Sequence, residues 1–219
     1  CPDSFLVSVN RSRLDFVPKD ASTDRIITIE PDLNKFVQNG YGDVLRARAK
    51  RAGIDLSDQS RNQELAKIGS LNNSIATVDL TNASGLLALN LVEHLWPPEW
   101  FDVLMSMRSG YTTYGDFLFH MAAYAGMGNG TTFPVESITF YAIALCVVEH
   151  EGIVGPVSAY GDDIIIPSRA YSLLNRVFSS IGFEINAKKS FVDGPFRESC
   201  GSDWFLGDYV RPAFLRGNV

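Results

Sequence analysis

Apolar residues along the chain form two kinds of run: short blocks that predict strands and longer periodic stretches that predict helices. Compact blocks bounded by polar residues predict strands at residues 5–9, 26–29, 75–78, 157–160 and 164–166. Apolar residues at helical spacing predict helices at residues 33–52, 86–95, 135–148 and 170–181. Weaker strand-like segments lie at residues 183–185 and 190–192, and residues 106–130, rich in Gly, Tyr, Thr and Ser, predict an irregular insertion.

The order of these elements predicts a fold class. From residue 75 onwards it reads strand, helix, loop, helix, strand, turn, strand, helix, strand, strand. This order predicts an α+β fold, with an antiparallel sheet and helices packed on one face. Gly161-Asp162, between two predicted strands, are residue types typical of a tight hairpin turn. Ser168 and Gly182 are the expected N-cap and C′ residues of the helix that follows.

Composition limits the partners and the compartment. Of 219 residues, 46% are hydrophobic, and the longest apolar run, residues 138–148, has the length of a buried helix, so no membrane partner is expected. Three widely spaced cysteines build no disulfide framework, which favours a reducing cytosol. The net charge of −6 argues mildly against a nucleic-acid partner, although the basic residues are clustered. The first residue is not Met, which favours a fragment of a longer protein.

Three carboxylates are the strongest candidates for chemistry. Asp79 ends one predicted strand, and Asp162 and Asp163 lie in the turn between two others. If these strands are neighbours, the carboxylates meet at one sheet edge, where their repulsion is tolerable if Mg²⁺ neutralises it. Two such ions about 4 Å apart lower the charge on the attacking and leaving oxygens of a phosphoryl transfer. Gly-Asp-Asp alone is a weak motif, and an ordinary exposed turn is the alternative.

Other polar stretches support this hypothesis, although each has a plain alternative as a surface turn. The glycines of residues 127–132 (M-G-N-G-T-T) let the backbone approach another backbone or a ligand, and this loop opens a helix whose free N–H groups suit phosphate. Lys188-Lys189 offer charge or a proton to a pyrophosphate leaving group. Lys19 and Arg25 are candidates for binding a triphosphate.

Seven stretches carry these residues in chain order. They are D-R-I-I-T-I-E-P at 24–31, A-T-V-D-L-T-N-A-S at 76–84, L-W-P-P-E-W-F-D-V-L-M at 95–105, M-G-N-G-T-T-F-P-V-E-S at 127–137, Y-G-D-D-I-I-I-P-S at 160–168, N-A-K-K-S at 186–190 and G-P-F-R-E-S-C-G at 194–201. Together they resemble the motifs of viral RNA-directed RNA polymerases, and in detail the replicase catalytic chain of the positive-strand RNA bacteriophages, the leviviruses. The resemblance covers essentially the whole chain.

The resemblance implies a nucleotidyltransferase with a ferredoxin-like polymerase palm. It places part of the fingers, with motif F, at residues 1–74. The palm, with motifs A to E, is expected at 75–201, with a fingers-type insertion at about 106–126, and the start of the following region at 202–219. Complete catalytic chains of this family are far longer, so we expect a palm-centred fragment without a thumb.

The resemblance also implies roles for individual residues. Asp79, Asp162 and Asp163 would bind two Mg²⁺ ions, with Mn²⁺ as an alternative, together with Leu80. Lys188 is the expected acid for the pyrophosphate. Nucleotide contacts are expected at Lys19, Arg25, Ser84, Gly128, Asn129, Thr132 and Lys189. RNA contacts are expected at Gly130, Ser137, Arg197 and Ser199.

Two positions depart from the family pattern. Gly85 stands where an acid close after Ser84 is expected, which leaves ribose recognition open, and Ser22 stands where a second lysine is expected.

The function expected from these residues is template-directed RNA synthesis on a phage genome, in the cytoplasm of the bacterial host. The partners would be template and nascent RNA, nucleoside triphosphates and, by family resemblance only, host translation factors. The alternatives are a reverse-transcriptase-like polymerase and a non-catalytic polymerase-like fragment that binds RNA.

Overall fold

A computed structural model describes residues 11–19 and 23–213 of the chain. The chain divides into two compact units, Cys1–Arg48 with Asn82–Glu136, and Ala49–Thr81 with Ser137–Val219. The predicted strand at residues 5–9 and the departure at Ser22 lie outside the described residues. The boundaries predicted from the motifs, after residues 74 and 201, stay predictions.

The first unit contains a four-stranded sheet in the order β2-β1-β4-β5. Its strands are β1 (Arg11–Pro18), β2 (Asp24–Ile29), β4 (Tyr111–Tyr114) and β5 (Phe117–His120). Strand β1 pairs antiparallel with β2 and parallel with β4, and β4 and β5 form a hairpin. The prediction of an irregular insertion at residues 106–130 is therefore wrong over the hairpin. The sequence of β5 does not alternate between apolar and polar residues, because both faces of this strand are exposed.

Helices of the first unit differ from the sequence prediction at one break. Helix α1 (Asp32–Arg51), whose last three residues belong to the second unit, confirms the helix predicted there. The single helix predicted at 86–95 is wrong, because α3 (Ala83–Leu86) and α4 (Leu89–Leu95) are separate. The backbone between them leaves the helical path since Leu87 O accepts from Tyr124 N at 2.6 Å and Leu89 N donates to Ala122 O at 3.1 Å.

A further helix, α5 (Pro98–Met107), was not predicted. Pro98 begins α5 at the first helical position, where its missing N–H costs no hydrogen bond.

The second unit contains two antiparallel sheets. Strands β3 (Ile75–Val78), β7 (Asp163–Pro167) and β6 (Ser158–Tyr160) form one, with β7 in the centre. The sequence predicted these three strands but not their order. Strands β8 (Phe196–Ser199), β9 (Ser202–Phe205) and β10 (Asp208–Tyr209) form the other and were not predicted. Helix α2 (Ser60–Asn72), also not predicted, contacts strands of both sheets.

Several local predictions in the second unit change. The segments at 183–185 and 190–192 are not strands and form only the single bridges Leu80↔Ile185 and Thr77↔Phe191. Ser168 does not cap helix α7 (Tyr171–Ser180). It begins a 3-10 turn instead, and its hydroxyl donates to Asn73 O at 2.8 Å. Gly182 has the positive φ of +93° that a C′ residue requires, which confirms that prediction.

The core of the second unit is apolar and closely packed. Ile164, Ile165 and Ile166 of β7 are fully buried, and since successive side chains on a strand point to opposite faces, both faces of β7 are covered. Phe140, Phe178 and Phe183 pack edge to face, with ring centroids 5.1 to 5.9 Å apart. The predicted α+β class is confirmed, and the central strand forms a rigid support for its first residue, Asp163.

Helix α6 (Thr132–His150) confirms the long apolar helix and begins three residues earlier than predicted. By length and composition alone it would cross a membrane, but 56% of its apolar window is buried inside the protein, as in a core helix.

Candidate active site

Three aspartates meet at one edge of the β3-β7-β6 sheet. Val78 and Ile164 form the last pair in the register of β3 and β7. The next residues towards this edge are Asp79, directly after β3, and Asp163, the first residue of β7. Asp163 also pairs with Tyr160 across the β6–β7 hairpin, whose turn is Gly161-Asp162. Gly161 has a φ of +61°, which glycine adopts at little cost. This register brings the three aspartates to one sheet edge, as the sequence predicted.

The Asp163 carboxylate is held by the β8–β9 hairpin. Its Oδ1 accepts hydrogen bonds from Ser199 Oγ at 3.3 Å and Cys200 N at 3.2 Å. Burial raises the pKa of the Asp163 carboxyl, and the charges of Asp162 and Asp79 add to this effect, while the Cys200 N–H opposes it. The three carboxylates are therefore close enough to repel one another.

Asp79 is bound by residues from the loop after α7. Asn186 Nδ2 donates to Asp79 Oδ2 at 3.0 Å, and Asp79 N donates to Ser190 Oγ at 3.0 Å. Lys189 Nζ lies 3.9 Å from Asp79 Oδ1. Of the two lysines predicted here, Lys189 is thus the one beside a carboxylate, whereas Lys188 is exposed and its backbone N–H donates to Asn186 Oδ1 at 3.1 Å.

The donor chemistry of this edge fits a hard divalent cation. Three carboxylates supply the oxygen ligands that Mg²⁺ prefers, and a cation would offset the burial and the neighbouring charges that together raise the pKa of the Asp163 carboxyl. Within residues 11–19 and 23–213, no group of three or more His, Cys, Asp or Glu side chains is already arranged as a metal site. Asp79, paired with Lys189, would have to exchange that partner for a cation.

Ser137 supports the turn that carries Asp162. Its Oγ accepts a hydrogen bond from Gly161 N at 2.8 Å, and the side chain is fully buried. The predicted RNA contact at Ser137 is not tested by this geometry, which gives the side chain a positioning role.

Glu198 is a fourth acidic group near the site and was not predicted. Burial raises the pKa of its carboxyl to about 7, and the charge of Asp163 contributes, while the Gly201 N–H, donated to Glu198 Oε1 at 3.2 Å, opposes the rise. No residue type near Glu198 in the sequence indicates this shift, because it comes from burial and from the charge of Asp163, thirty-five positions away.

Replacement of Glu198 by Gln is expected to stabilise the fold at pH 8 and to flatten its pH dependence. Because the folded state raises the pKa of Glu198 from 4.5 to about 7, that state binds the proton more tightly, so wild-type stability falls as pH rises through this range. Gln cannot ionise and removes the loss. Thermal unfolding midpoints in EDTA from pH 4.5 to 8 check this, with the exposed Glu184→Gln as control; parallel curves for wild type and Glu198→Gln would contradict it.

Three of the six predicted nucleotide residues of the first unit line one cavity of about 380 Å³, and Gly128, Asn129 and Thr132 are not among its lining residues. Lys19, Arg25 and Ser84 all contribute to its wall, together with Asn82 and Gly85. Asp24 is a further, acidic, member of the lining. The structure thus brings together residues from the predicted motifs F and A, around a space open to a polar ligand.

The glycine loop at residues 126–130 packs against other backbone of the first unit. A Cβ on Gly128, whose φ is +118°, would lie 2.1 Å from Thr28 O, and a Cβ on Gly130 would lie 2.7 Å from Asn39 N. This confirms that the glycines permit close backbone approach, here to β2 and α1. Asn129 is buried, and its Oδ1 accepts from Thr131 N at 2.8 Å, while Thr132 Oγ1 donates to Gly126 O at 3.0 Å.

Arg197 and Ser199 are buried within the protein. Arg197 is fully buried, and its guanidinium donates to backbone carbonyls and to Asn73 Oδ1. Ser199 is 1% exposed. Leu80, predicted near the metal, is buried and bridges to Ile185. These contacts indicate supporting roles, and the predicted RNA and metal contacts of these residues stay predictions.

Two solved structures share the fold of this chain. The chain is similar to an insertion-loop deletion mutant of the RNA-dependent RNA polymerase of a human picorbirnavirus, with a TM-score of 0.61 at 11% identity, over 90% of this chain and 44% of that one. It is also similar to telomerase from Candida albicans, with a TM-score of 0.61 at 12% identity, over 93% of this chain and 45% of that one. The fold is therefore that of a nucleic-acid polymerase palm with part of the fingers, as predicted.

Within that class, the chain belongs to the RNA replicase beta-chain family, whose model matches residues 3–219. It is 49% identical to the RNA-directed RNA polymerase subunit beta of Enterobacteria phage SP, over 99% of this chain and 38% of that protein. It is 46% identical to the corresponding subunit of Escherichia virus Qbeta, over 93% of this chain and 35% of that protein. The family resemblance seen in the motifs is confirmed, and the chain spans less than two fifths of the length of these relatives.

Proposed function

We propose that this chain carries the catalytic centre of an RNA-directed RNA polymerase that replicates a single-stranded RNA phage genome. The observation that carries the proposal is the register of β3 and β7, which sets Asp79 beside Asp163 at the edge where Asp162 also lies. Three carboxylates on a buried sheet make a stable mount for divalent cations, and membership of the replicase family supplies the reaction class.

The proposed reaction is nucleotidyl transfer. The 3′-hydroxyl of the nascent RNA gives its proton to a water molecule and forms a bond to the α-phosphorus of a nucleoside triphosphate, and the bond from that phosphorus to pyrophosphate breaks. Asp79, Asp162 and Asp163 would hold two Mg²⁺ ions, which when bound lower the charge on the attacking and leaving oxygens. Lys189, near Asp79, adds positive charge to the same edge, and Lys188 or Lys189 would supply a proton to the pyrophosphate.

The cavity of the first unit is the proposed triphosphate site. Lys19 and Arg25 give it two cationic side chains, and Ser84 adds a hydroxyl. Phosphate oxygens are well matched by Lys and Arg donors, with Arg able to bind two oxygens at once.

Asn82 takes up the space at the position where the family pattern has an acid. It has a left-handed φ of +52°, and a Cβ on Gly85 would lie 2.7 Å from Asn82 Oδ1 and 2.8 Å from Asn82 Nδ2. Any side chain at position 85 must therefore displace the Asn82 carboxamide.

The Gly85→Asp variant is expected to lower kcat/KM for nucleoside triphosphates about tenfold, because its side chain clashes with the Asn82 carboxamide and distorts the cavity wall. Asn82→Ala removes the clash, so the double variant is expected to recover most of the loss, with a coupling of about 1–2 kcal/mol. Steady-state extension kinetics of the four proteins measure this coupling. Gly40→Asp, where a side chain meets nothing within 4 Å, controls for an added carboxylate, and additive effects would refute the coupling.

Extension of an RNA primer on an RNA template by a complete replicase beta chain that contains these residues tests the proposed function. We expect Mg²⁺-dependent incorporation of ribonucleotides, with Mn²⁺ as a substitute ion. A preference for deoxynucleotides would favour the reverse-transcriptase-like alternative, and absence of any extension would favour a non-catalytic role. Host translation factors as partners and the cytoplasm of the bacterial host as the compartment belong to the same proposal.

A further inference from the structure

We propose that Ser199, in the β8–β9 hairpin, is a positioning residue that orients the Asp163 carboxylate for cation binding. The inference rests on the proposed function, because it concerns the same carboxylate edge. It adds a supporting layer drawn from two elements, α2 and the β8–β9 hairpin, that carry none of the catalytic aspartates.

Two donors of the hairpin fix a single oxygen of Asp163. Ser199 Oγ and Cys200 N both donate to Oδ1, at 3.3 and 3.2 Å. The Cys200 side chain is a further hydrogen-bond partner of the Asp163 carboxylate. The hairpin thus holds Oδ1 through two donors, which fixes the plane of the carboxylate that would bind a cation.

Asn62 of α2 sets the direction of the Ser199 hydroxyl. Its Nδ2 donates to Ser199 Oγ at 3.4 Å and to the backbone oxygen of Asp163 at 3.0 Å. An amide nitrogen can only donate, so the serine oxygen accepts from Asn62 and its own proton is left for Asp163 Oδ1 at 3.3 Å or Cys200 Sγ at 3.8 Å, of which the carboxylate is the stronger acceptor. Both side chains are at least 98% buried, so water does not compete for these bonds.

The hairpin turn is built to present the Cys200 N–H. Cys200 has a φ of +48°, a left-handed conformation that a non-glycine residue adopts at a cost of roughly 1 kcal/mol or more. The neighbouring Gln63 Nε2 donates to Cys200 O at 3.1 Å, so α2 holds this peptide on its other side. The conformation is kept because both polar groups of Cys200 have partners in the site.

Partners of this kind control how well a ligand binds a cation. Hydrogen bonds that orient a ligating side chain typically contribute tenfold or more to metal affinity. Loss of the Ser199 hydroxyl frees Asp163 to rotate and leaves Asn62 with one fewer acceptor, while the fold keeps its backbone bonds. Ser199→Ala is therefore expected to weaken cation binding about tenfold.

The test is Mn²⁺ binding, followed by electron paramagnetic resonance, to the complete polymerase chain without nucleotide. Ser202→Ala is the matched control, because Ser202 lies opposite Ser199 in the same hairpin, is also buried and has no bond to Asp163. We expect an approximately tenfold higher Kd for Ser199→Ala, near wild-type Kd for Ser202→Ala and retention of binding by Ser199→Thr, which keeps the hydroxyl. Unfolding midpoints in EDTA should match for the two alanine variants.

Equal Mn²⁺ affinity of Ser199→Ala and wild type, or equal losses in both alanine variants, would overturn the role of Ser199 while leaving the metal site intact. Absence of Mn²⁺ binding by the wild type would instead overturn the proposed metal centre itself, and Ser199's role with it. Asp162→Asn serves as the reference for lost binding in the same experiment.

Discussion

Replacement of Asp162 by Asn is expected to reduce primer extension by the complete polymerase at least about 10³-fold. The carboxamide keeps the size and shape of the side chain but removes the negative charge that a divalent cation requires. Cation stabilisation of the transition-state charge is worth several kcal/mol, and about 4 kcal/mol corresponds to a factor of 10³ in rate. Asp162 occupies the turn after Gly161 and lies outside the strands, so its replacement should leave the sheet intact.

Single-nucleotide incorporation at saturating Mg²⁺ measures this loss. Asp208→Asn, a change of the same kind on the exposed strand β10 of the same unit, should extend primers at the wild-type rate. Asp79→Asn is expected to resemble Asp162→Asn, because both remove a carboxylate from one edge. An unchanged rate for Asp162→Asn, with an unchanged unfolding midpoint, would remove Asp162 from the proposed metal ligands.

The β6–β7 hairpin could be predicted from the sequence because the residue types that indicate it lie close together in the chain. The apolar blocks that became β3, β6 and β7 are short, continuous and bounded by turn residues, and Gly161 supplies the positive φ of the turn. Such blocks in sequence order restrict the sheet to few arrangements. The position of Asp79 beside Asp163 then follows from antiparallel pairing alone.

Helix α2 could not be predicted in the same way, because it buries small and polar residues. Its buried side chains are Asn62, Ala66 and Ser70, with Gly69 between them, which gives no apolar stripe at helical spacing. The reason is tertiary: a Cβ on Gly69 would lie 2.8 Å from Ile75 O and 3.3 Å from Arg197 Cγ. Packing against backbone and a buried arginine selects small residues, and hydrophobic patterning does not detect that selection.

The contacts that support the candidate site from the β8–β9 hairpin could not be predicted from the sequence for a related reason. Ser199 and Glu198 belong to a stretch that the family resemblance marks, but their contacts are with Asp163 and Gly201, and only the folded hairpin brings Asp163 within reach. Ser199 was expected at RNA on the strength of its motif. It is buried and donates to Asp163, so its contact in the folded chain is with a candidate metal ligand.

Among the described residues of the second unit, Arg197 is the buried side chain with the most hydrogen bonds. Its Nε donates to Ile75 O at 2.7 Å, and its Nη atoms donate to the carbonyls of Gly194, Phe196 and Val192 at 2.6 to 2.9 Å. Ile75 belongs to β3, an edge strand whose outer carbonyls need partners. The guanidinium thus joins the catalytic sheet to the β8–β9 hairpin.

Replacement of Arg197 by Met is therefore expected to destabilise the fold by about 3–5 kcal/mol, since several buried carbonyls lose their donors together. For a chain of this size that corresponds to a fall of roughly 10 °C in the unfolding midpoint. Arg197→Lys should lie in between, because an ammonium offers three donors where the guanidinium offers five.

Thermal unfolding in EDTA provides the measurement, and Arg176→Met, an exposed position on α7, provides the control for loss of an arginine. Midpoints for Arg197→Met and Arg176→Met within about 2 °C of each other would show that the hydrogen bonds from Arg197 to backbone carbonyls contribute little to stability. A large loss for Arg197→Met alone would indicate that the hairpin which holds Asp163 depends on a buried cation for its attachment to the catalytic sheet. Mutations of Arg197 would then act on the candidate site through the stability of the fold, whereas mutations of Ser199 would act through the orientation of the Asp163 carboxylate.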